Sequence, residues 1–289
     1  MKYRIGFLAA LALCLSLTAN AQLSSPGGLA FDGSGNLWVT NGNAKQVLEL
    51  NPTTGAVLNT ITDGISGPSR LFFVGGELYV VNATANNITI YGHLTTAGAK
   101  LSGTINFPST ISRSLGAAVD AYGDVYVSGN ATNNIVALNI NGGIVETLTQ
   151  DTFDFPFTAP GALVIHGQDL YAGFGSDDRE DAVISYNVGE FLTGDPKEIT
   201  VYNDNVNTGP TGIAFDSKNN VYISEFYSGT AVKYALGKGT TPVLVINQGT
   251  SGCEGIAVDK SGNIYVSNAP LNNITVYGPS GGAPIRTLN

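Results

Sequence analysis

The sequence predicts an all-β chain of six four-stranded antiparallel units, and three observations carry that prediction. First, a string of Gly-aliphatic-Ala-aliphatic-Asp, a tight turn, then aliphatic-Tyr-Val recurs along the chain, most clearly from Gly28, Gly212 and Gly255. Second, the aromatics of the second strand (Trp38, Tyr79, Tyr126, Tyr171, Tyr222 and Tyr265) stand 41 to 51 residues apart. Third, apolar residues alternate with period two, β-branched and aromatic types are enriched, and no helical periodicity outlasts a turn. One such unit cannot bury its apolar face alone, so its neighbours must cover it. Twisted four-stranded meanders repeated about an axis close into a β-propeller, here a six-bladed one. A solenoid would want capping repeats with polar outer faces, whereas the first and last units match the pattern best.

Within unit one the expected strands are residues 28–32, 37–41, 47–50 and 57–61. The third strand recurs at 88–91, 135–138, 183–186, 231–234 and 274–277, and the fourth at 101–105, 144–148, 198–201, 243–246 and 285–288. Between strands one and two, Asp32, Asp120, Asp216 and Asp259 can accept hydrogen bonds from the amides that follow them. Gly35, Gly123 and Gly262 then supply the positive φ that closes the bend, with Asn219 standing in once. Gly75-Gly76 suits a two-residue hairpin in unit two. These aspartates are therefore assigned to structure. Small residues on one face of strand one (Gly28, Ala30) against large ones on the other (Leu29, Phe31) let adjacent sheets interdigitate near the axis. Only residues 22–25 precede unit one, and Asn289 follows the last strand directly. Closure is thus expected from packing between complete blades one and six.

Residues 1–21 read as an export signal: Lys2 and Arg4, an apolar run from Ile5 to Leu17, then Ala19-Asn20-Ala21. The run is too short for a membrane span of about 20 apolar residues. Residues 22–289 are then one propeller domain, secreted, periplasmic or at the cell surface, without membrane insertion and expected as a monomer. Removing the leader leaves Cys253 as the one cysteine, so no internal disulfide is expected, and Cys253 reads as a small buried hydrophobe. The formal net charge of −9 argues against nucleic acid or an anionic membrane as partner.

The string Pro-x-Gly-aliphatic-Ala-aliphatic-Asp-x-x-Gly-Asn-aliphatic-Tyr-Val, followed by Asn-Asn-Ile, resembles the NHL repeat. Residues 210–216, 261–268 and 272–274 carry it best. The resemblance implies a six-bladed propeller of the TolB-like type. The chain departs from the family's usual Asp and Arg: Asn41, Asn82 and Asn268 close the second strand, while Asn87, Asn134 and Asn273 open the third. The basic face of RNA-binding members is lacking.

In a propeller the two–three loops and the connections into each strand one share one face, around the channel mouth. Strand two ends at Asn41, Asn82, Gly129, Phe174, Glu225 and Asn268. Strand one is entered at Gly27, Ser69, Leu115, Gly161, Thr211 and Glu254, and Arg70 replaces the consensus glycine of unit two. Asn41, Arg70, Asn82, Phe174, Glu225, Tyr227, Glu254 and Asn268 are the candidate ligand-binding residues. Glu225 and Glu254, with Asn268 and Asn41, could converge on a cation or polar ligand. The favoured alternative is that the amides only satisfy loop backbone.

No catalytic residue, cofactor or metal is assigned. The two histidines, His93 in a three–four turn and His166 in a one–two turn, map to the face away from the mouth. Similar propellers include histidine-dependent lyases and gluconolactonase-like enzymes that hold a divalent cation with Glu and Asn/Asp. Here Glu254 is the sole acid at the corresponding entrance. The acidic run 177–181 lacks the spacing of an EF-hand. The expected function is a non-catalytic binding propeller presenting Phe174, Glu225, Phe226, Tyr227 and Glu254 to an extracellular protein or glycan. The competing expectation is a metal-dependent lactonase or lyase centred on Glu254, Glu225 and Asn268.

Overall fold

The computed structural model describes residues 23–95, 98–149, 158–175, 181–193, 198–204 and 208–289. The expected export signal at 1–21 and residues 177–180 of the charged run lie outside the described residues. Six four-stranded antiparallel sheets form a six-bladed β-propeller, each sheet taking its strands in chain order. Blade one holds β1 (Pro26–Phe31), β2 (Leu37–Asn41), β3 (Gln46–Leu50) and β4 (Val57–Ile61). Blade two holds β5 (Pro68–Val74), β6 (Glu77–Asn82), β7 (Asn87–Thr95) and β8 (Gly98–Asn106). Blade three holds β9 (Ala117–Val119), β10 (Val125–Gly129), β11 (Asn134–Leu138) and β12 (Ile144–Thr149). Blade four holds β13 (Pro160–His166), β14 (Asp169–Phe174), β15 (Asp181–Asn187) and β16 (Glu198–Asp204). Blade five holds β17 (Pro210–Phe215), β18 (Asn220–Glu225), β19 (Thr230–Ala235) and β20 (Leu244–Ile246). Blade six holds β21 (Cys253–Val258), β22 (Ile264–Asn268), β23 (Asn273–Gly278) and β24 (Gly281–Leu288). A single helical turn, α1 (Val188–Phe191), follows β15 and is capped by the Asn187 side chain.

Outer strands depart most from the expected limits. Strands β8 and β24 begin three to four residues early because their hairpins continue to Thr95↔Gly98 and Gly278↔Gly281. Their outward faces meet solvent, so polar residues there resemble loop. As a result His93 lies within β7 at φ 51° rather than in a free turn.

The core is divided among the blade interfaces, with one apolar cluster between each pair of adjacent sheets. At the seam, Leu29, Val39, Leu48 and Leu50 of blade one pack on Ala257, Tyr265, Ile274, Val276 and Leu288 of blade six. The ring is closed. Packing alone was expected at this seam, and the structure adds hydrogen bonds. Ser267 Oγ donates to Gly27 O at 2.6 Å, and Ser25 N donates to Asn272 Oδ1 at 2.8 Å. Ser128 Oγ to Gly161 O (2.8 Å) and Thr211 Oγ1 to Cys253 O (2.5 Å) repeat the hydroxyl-to-carbonyl bond elsewhere. The closing seam is therefore built like the other interfaces.

The small face of strand one has a steric cause. A Cβ on Gly255 would lie 2.3 Å from Gly27 O, and one on Gly116 2.2 Å from Gly161 O. Inner strands approach too closely there for any side chain.

The turn aspartates do what the repeat suggests, and more. Asp216 Oδ1 accepts from the amides of Lys218 (2.8 Å) and Asn220 (3.0 Å). Its Oδ2 accepts from Tyr222 OH at 3.0 Å and Asn220 Nδ2 at 2.7 Å. Asp32 likewise receives Trp38 Nε1, and Asp120 receives Tyr126 OH. In blades one, three and five the column of aromatics thus marks a ring whose polar atom is fixed by the preceding turn. Burial raises the Asp216 pKa, but the bonds from Asn220, Lys218 and Tyr222 outweigh it and hold it at about 2. A depressed carboxylate pKa stabilises the fold above its unfolded value of about 4, and that contribution is lost as pH falls through the folded value. Asp216→Asn is therefore expected to cost about 2 kcal/mol at pH 6 by urea unfolding. The difference from the parent chain should shrink between about pH 4 and pH 2.

Candidate functional site

Loops from the second to the third strands, and the connections into the inner strands, meet at one end of the channel. They surround a cavity of about 380 Å³ whose lining includes Ser69, Arg70, Thr211 and Glu254, with Arg113, Phe226 and Tyr227 around it. The opposite end is a second cavity of about 370 Å³, walled by inner-strand residues such as Phe31, Phe73, Val164 and Phe215. Arg70 lines both cavities and so stands between them.

Arg70 occupies the consensus glycine position of β5, paired with Val81 of β6. Its Nη1 donates to Ser69 O at 2.8 Å, and its Nη2 donates to Thr211 O. Thr211 belongs to blade five, opposite blade two in a six-membered ring, so this side chain crosses the channel. Nη2 also lies 3.5 Å from Glu254 Oε2 of blade six. Burial lowers the Arg70 pKa, and the charge of Glu254 offsets part of that shift. Nε is buried without a hydrogen-bond partner.

Of the eight candidate residues, the structure brings Arg70, Tyr227 and Glu254 to the mouth. Tyr227 is 59% exposed, its ring edge-on to Phe226 with centroids 5.4 Å apart. The other five are placed elsewhere. Phe174 is buried in the core cluster between blades three and four, so it cannot be presented to a partner. Glu225 is 4% exposed and is held in its own loop, accepting from Ser228 Oγ at 2.9 Å and from Thr230 Oγ1. Asn41, Asn82 and Asn268 are fully buried. Their Oδ1 atoms accept from Ser24 N (2.6 Å), Ser66 N (2.9 Å) and Ser251 N (3.0 Å). In blades one, two and six the last residue of the second strand points inward and braces the segment that leads into the first strand of its own blade. This is the backbone-satisfying alternative.

Sequence reasoning missed Arg113, which is exposed at the rim with φ 55°. It stands two residues before the entrance position Leu115, so widening each entrance by two residues would have found it. The Asn-Asn pairs also held an unread signal. Asn86, Asn133 and Asn272 have φ of 51° to 53°, which asparagine tolerates. Their side chains bond Ile111 O, Ala159 N and Ser25 N of the next blade's entrance.

His166 lies at the far end, stacked on Phe215 with centroids 4.0 Å apart and bonded to Asn219 Oδ1. Cys253 is fully buried, and burial pushes its thiol up to about 12, which leaves it inert at neutral pH. The donor set does not fit a divalent cation: Glu254 faces a guanidinium, Glu225 is engaged in its loop, and the Asn41 and Asn268 oxygens bind amides. Among the described residues no group of three or more His, Cys, Asp or Glu could hold a metal ion. No helix among them is long and apolar enough to cross a membrane.

No family model matches the chain, nor does any curated protein sequence. Solved structures do. A streptogramin B lyase is 15% identical, with TM-score 0.66 over 94% of this chain and 85% of that one. A chain of a nidogen/laminin complex is 14% identical, with TM-score 0.67 over 85% and 90%. Hydrazine synthase of Kuenenia stuttgartiensis is 14% identical, with TM-score 0.65 over 94% and 99%. At such identities the likeness is one of fold, shared by a lyase and by a protein of a binding complex.

Proposed function

We propose that the chain is an exported, NHL-type binding propeller that takes a protein or glycan ligand at the channel mouth and does no chemistry on it. The observation that carries this reading is the ion pair of Arg70 with Glu254. A guanidinium fixed across the channel stands where a metal-dependent propeller enzyme would need a cation, and it repels one. Around it the mouth offers the exposed Tyr227 and Arg113 on a rigid scaffold, as binding sites on loops commonly do. The fold of the nidogen/laminin chain is compatible with such a role. The repeat string at 210–216 and 261–268 supports the NHL type, and residues 1–21 support export.

The likeness to a streptogramin B lyase keeps a metal-assisted lyase or lactonase at Glu254 as the rival. Thermal melting with calcium, magnesium or chelator separates the two. The binding reading expects the three curves to coincide. A cation at a hundred times its Kd would add about 2.7 kcal/mol, and such a rise abolished by Glu254→Gln would overturn it.

A further inference from the structure

We infer that the ligand of the mouth is an acidic carbohydrate, an oligosaccharide containing uronic acid; this rests on the mouth being the binding site. The whole chain is acidic, at −9. Among the described residues lining the mouth, however, the charged side chains are Arg70, Arg113 and Glu254, two cations against one anion. Arg70 is also under-compensated. Its carboxylate partner is 3.5 Å away, longer than the roughly 2.7–2.9 Å of a charge-assisted hydrogen bond, and Nε–H is orphaned. A ligand carboxylate entering the mouth supplies the missing charge.

Carbohydrate rather than protein follows from depth and from the remaining chemistry. Arg70 lies on the floor of a cavity of about 380 Å³, small-molecule scale, whereas a protein partner covers roughly 800 Å² of surface per side. A flat protein face resting on the rim would not reach that guanidinium. Sugar hydroxyls both donate and accept, which suits a wall that carries the Asn130 amide and the Glu254 carboxylate beside the two guanidinium groups. The exposed Tyr227 ring, braced by Phe226, gives the apolar face of a pyranose a rigid platform.

Isothermal titration of the full chain tests this. The probes are oligogalacturonate, alginate oligosaccharides and a glucuronate-containing oligosaccharide, each beside its carboxyl-reduced neutral form. At least one acidic probe should bind, about tenfold or more tighter than its neutral form. Arg113→Gln and Tyr227→Ala should each weaken it about fivefold or more, with melting unchanged. Equal binding of the neutral forms, or no binding of any uronate probe, overturns the inference. Binding of an acidic peptide alone, lost in both variants, would also overturn it while leaving the mouth as the binding site. Uronate binding indifferent to both variants would overturn the mouth itself.

Discussion

Gly255→Ala is expected to cost about 3 kcal/mol, a fall in melting temperature of roughly 6–12 °C. The new methyl group would lie 2.3 Å from Gly27 O, across the seam between blades six and one. That carbonyl belongs to backbone and already accepts from Ser267 Oγ at 2.6 Å, so it cannot swing aside as a side-chain end would. Relief requires β21 and β1 to part, which loosens the apolar cluster of Leu29, Val39 and Val276 behind them. Gly33→Ala is the control. It lies in a turn with nothing within 4 Å of the added carbon and should melt within about 1 °C of the parent. Equal melting of Gly255→Ala and the parent would mean that the inner strands are not so close.

The second large effect is at Arg70. Arg70→Gly restores the residue that the repeat itself prefers, yet it is expected to destabilise the chain by about 2–3 kcal/mol in urea unfolding. The substitution removes the bond to Ser69 O and the cross-channel bond to Thr211 O, and leaves Glu254 without its cation. Glu254 is 29% exposed and keeps part of its hydration, which holds the cost below that of a fully buried pair. The double variant Arg70→Gly with Glu254→Gln should lose less than the sum of its parts, by about 1 kcal/mol. Strict additivity would show that the pair is not coupled and would remove the main support for a cation-excluding mouth.

Most of the architecture was legible because it rests on short-range rules repeated many times. The Asp216 turn, the left-handed Asn219 and the Gly75-Gly76 hairpin each follow from residue chemistry within a few positions. Where the rule is weaker, the reading slipped. The outer strands β8 and β24 carry one solvated face, so their first residues passed for loop. The site was legible as a place but not as a set of partners. Position in the repeat put Glu225 and Glu254 on one face, yet it could not say that Thr230 and Ser228 would draw Glu225 inward. Nor could it say that a side chain entering from blade two would reach Glu254 across the channel. Such contacts depend on rotamers and on residues nearly two hundred positions apart. Phe174 misled because its place in the ring is a mouth position while its apolar ring prefers the adjacent core.

The seam between the first and last blades is stitched and packed as its neighbours are, with no strand traded across it among the described residues. An in-frame duplication or loss of one unit would therefore meet unchanged joining chemistry at both cut ends. Such a gene rearrangement need only satisfy the angular geometry of a wider or narrower wheel, since no dedicated clasp would have to be reinvented.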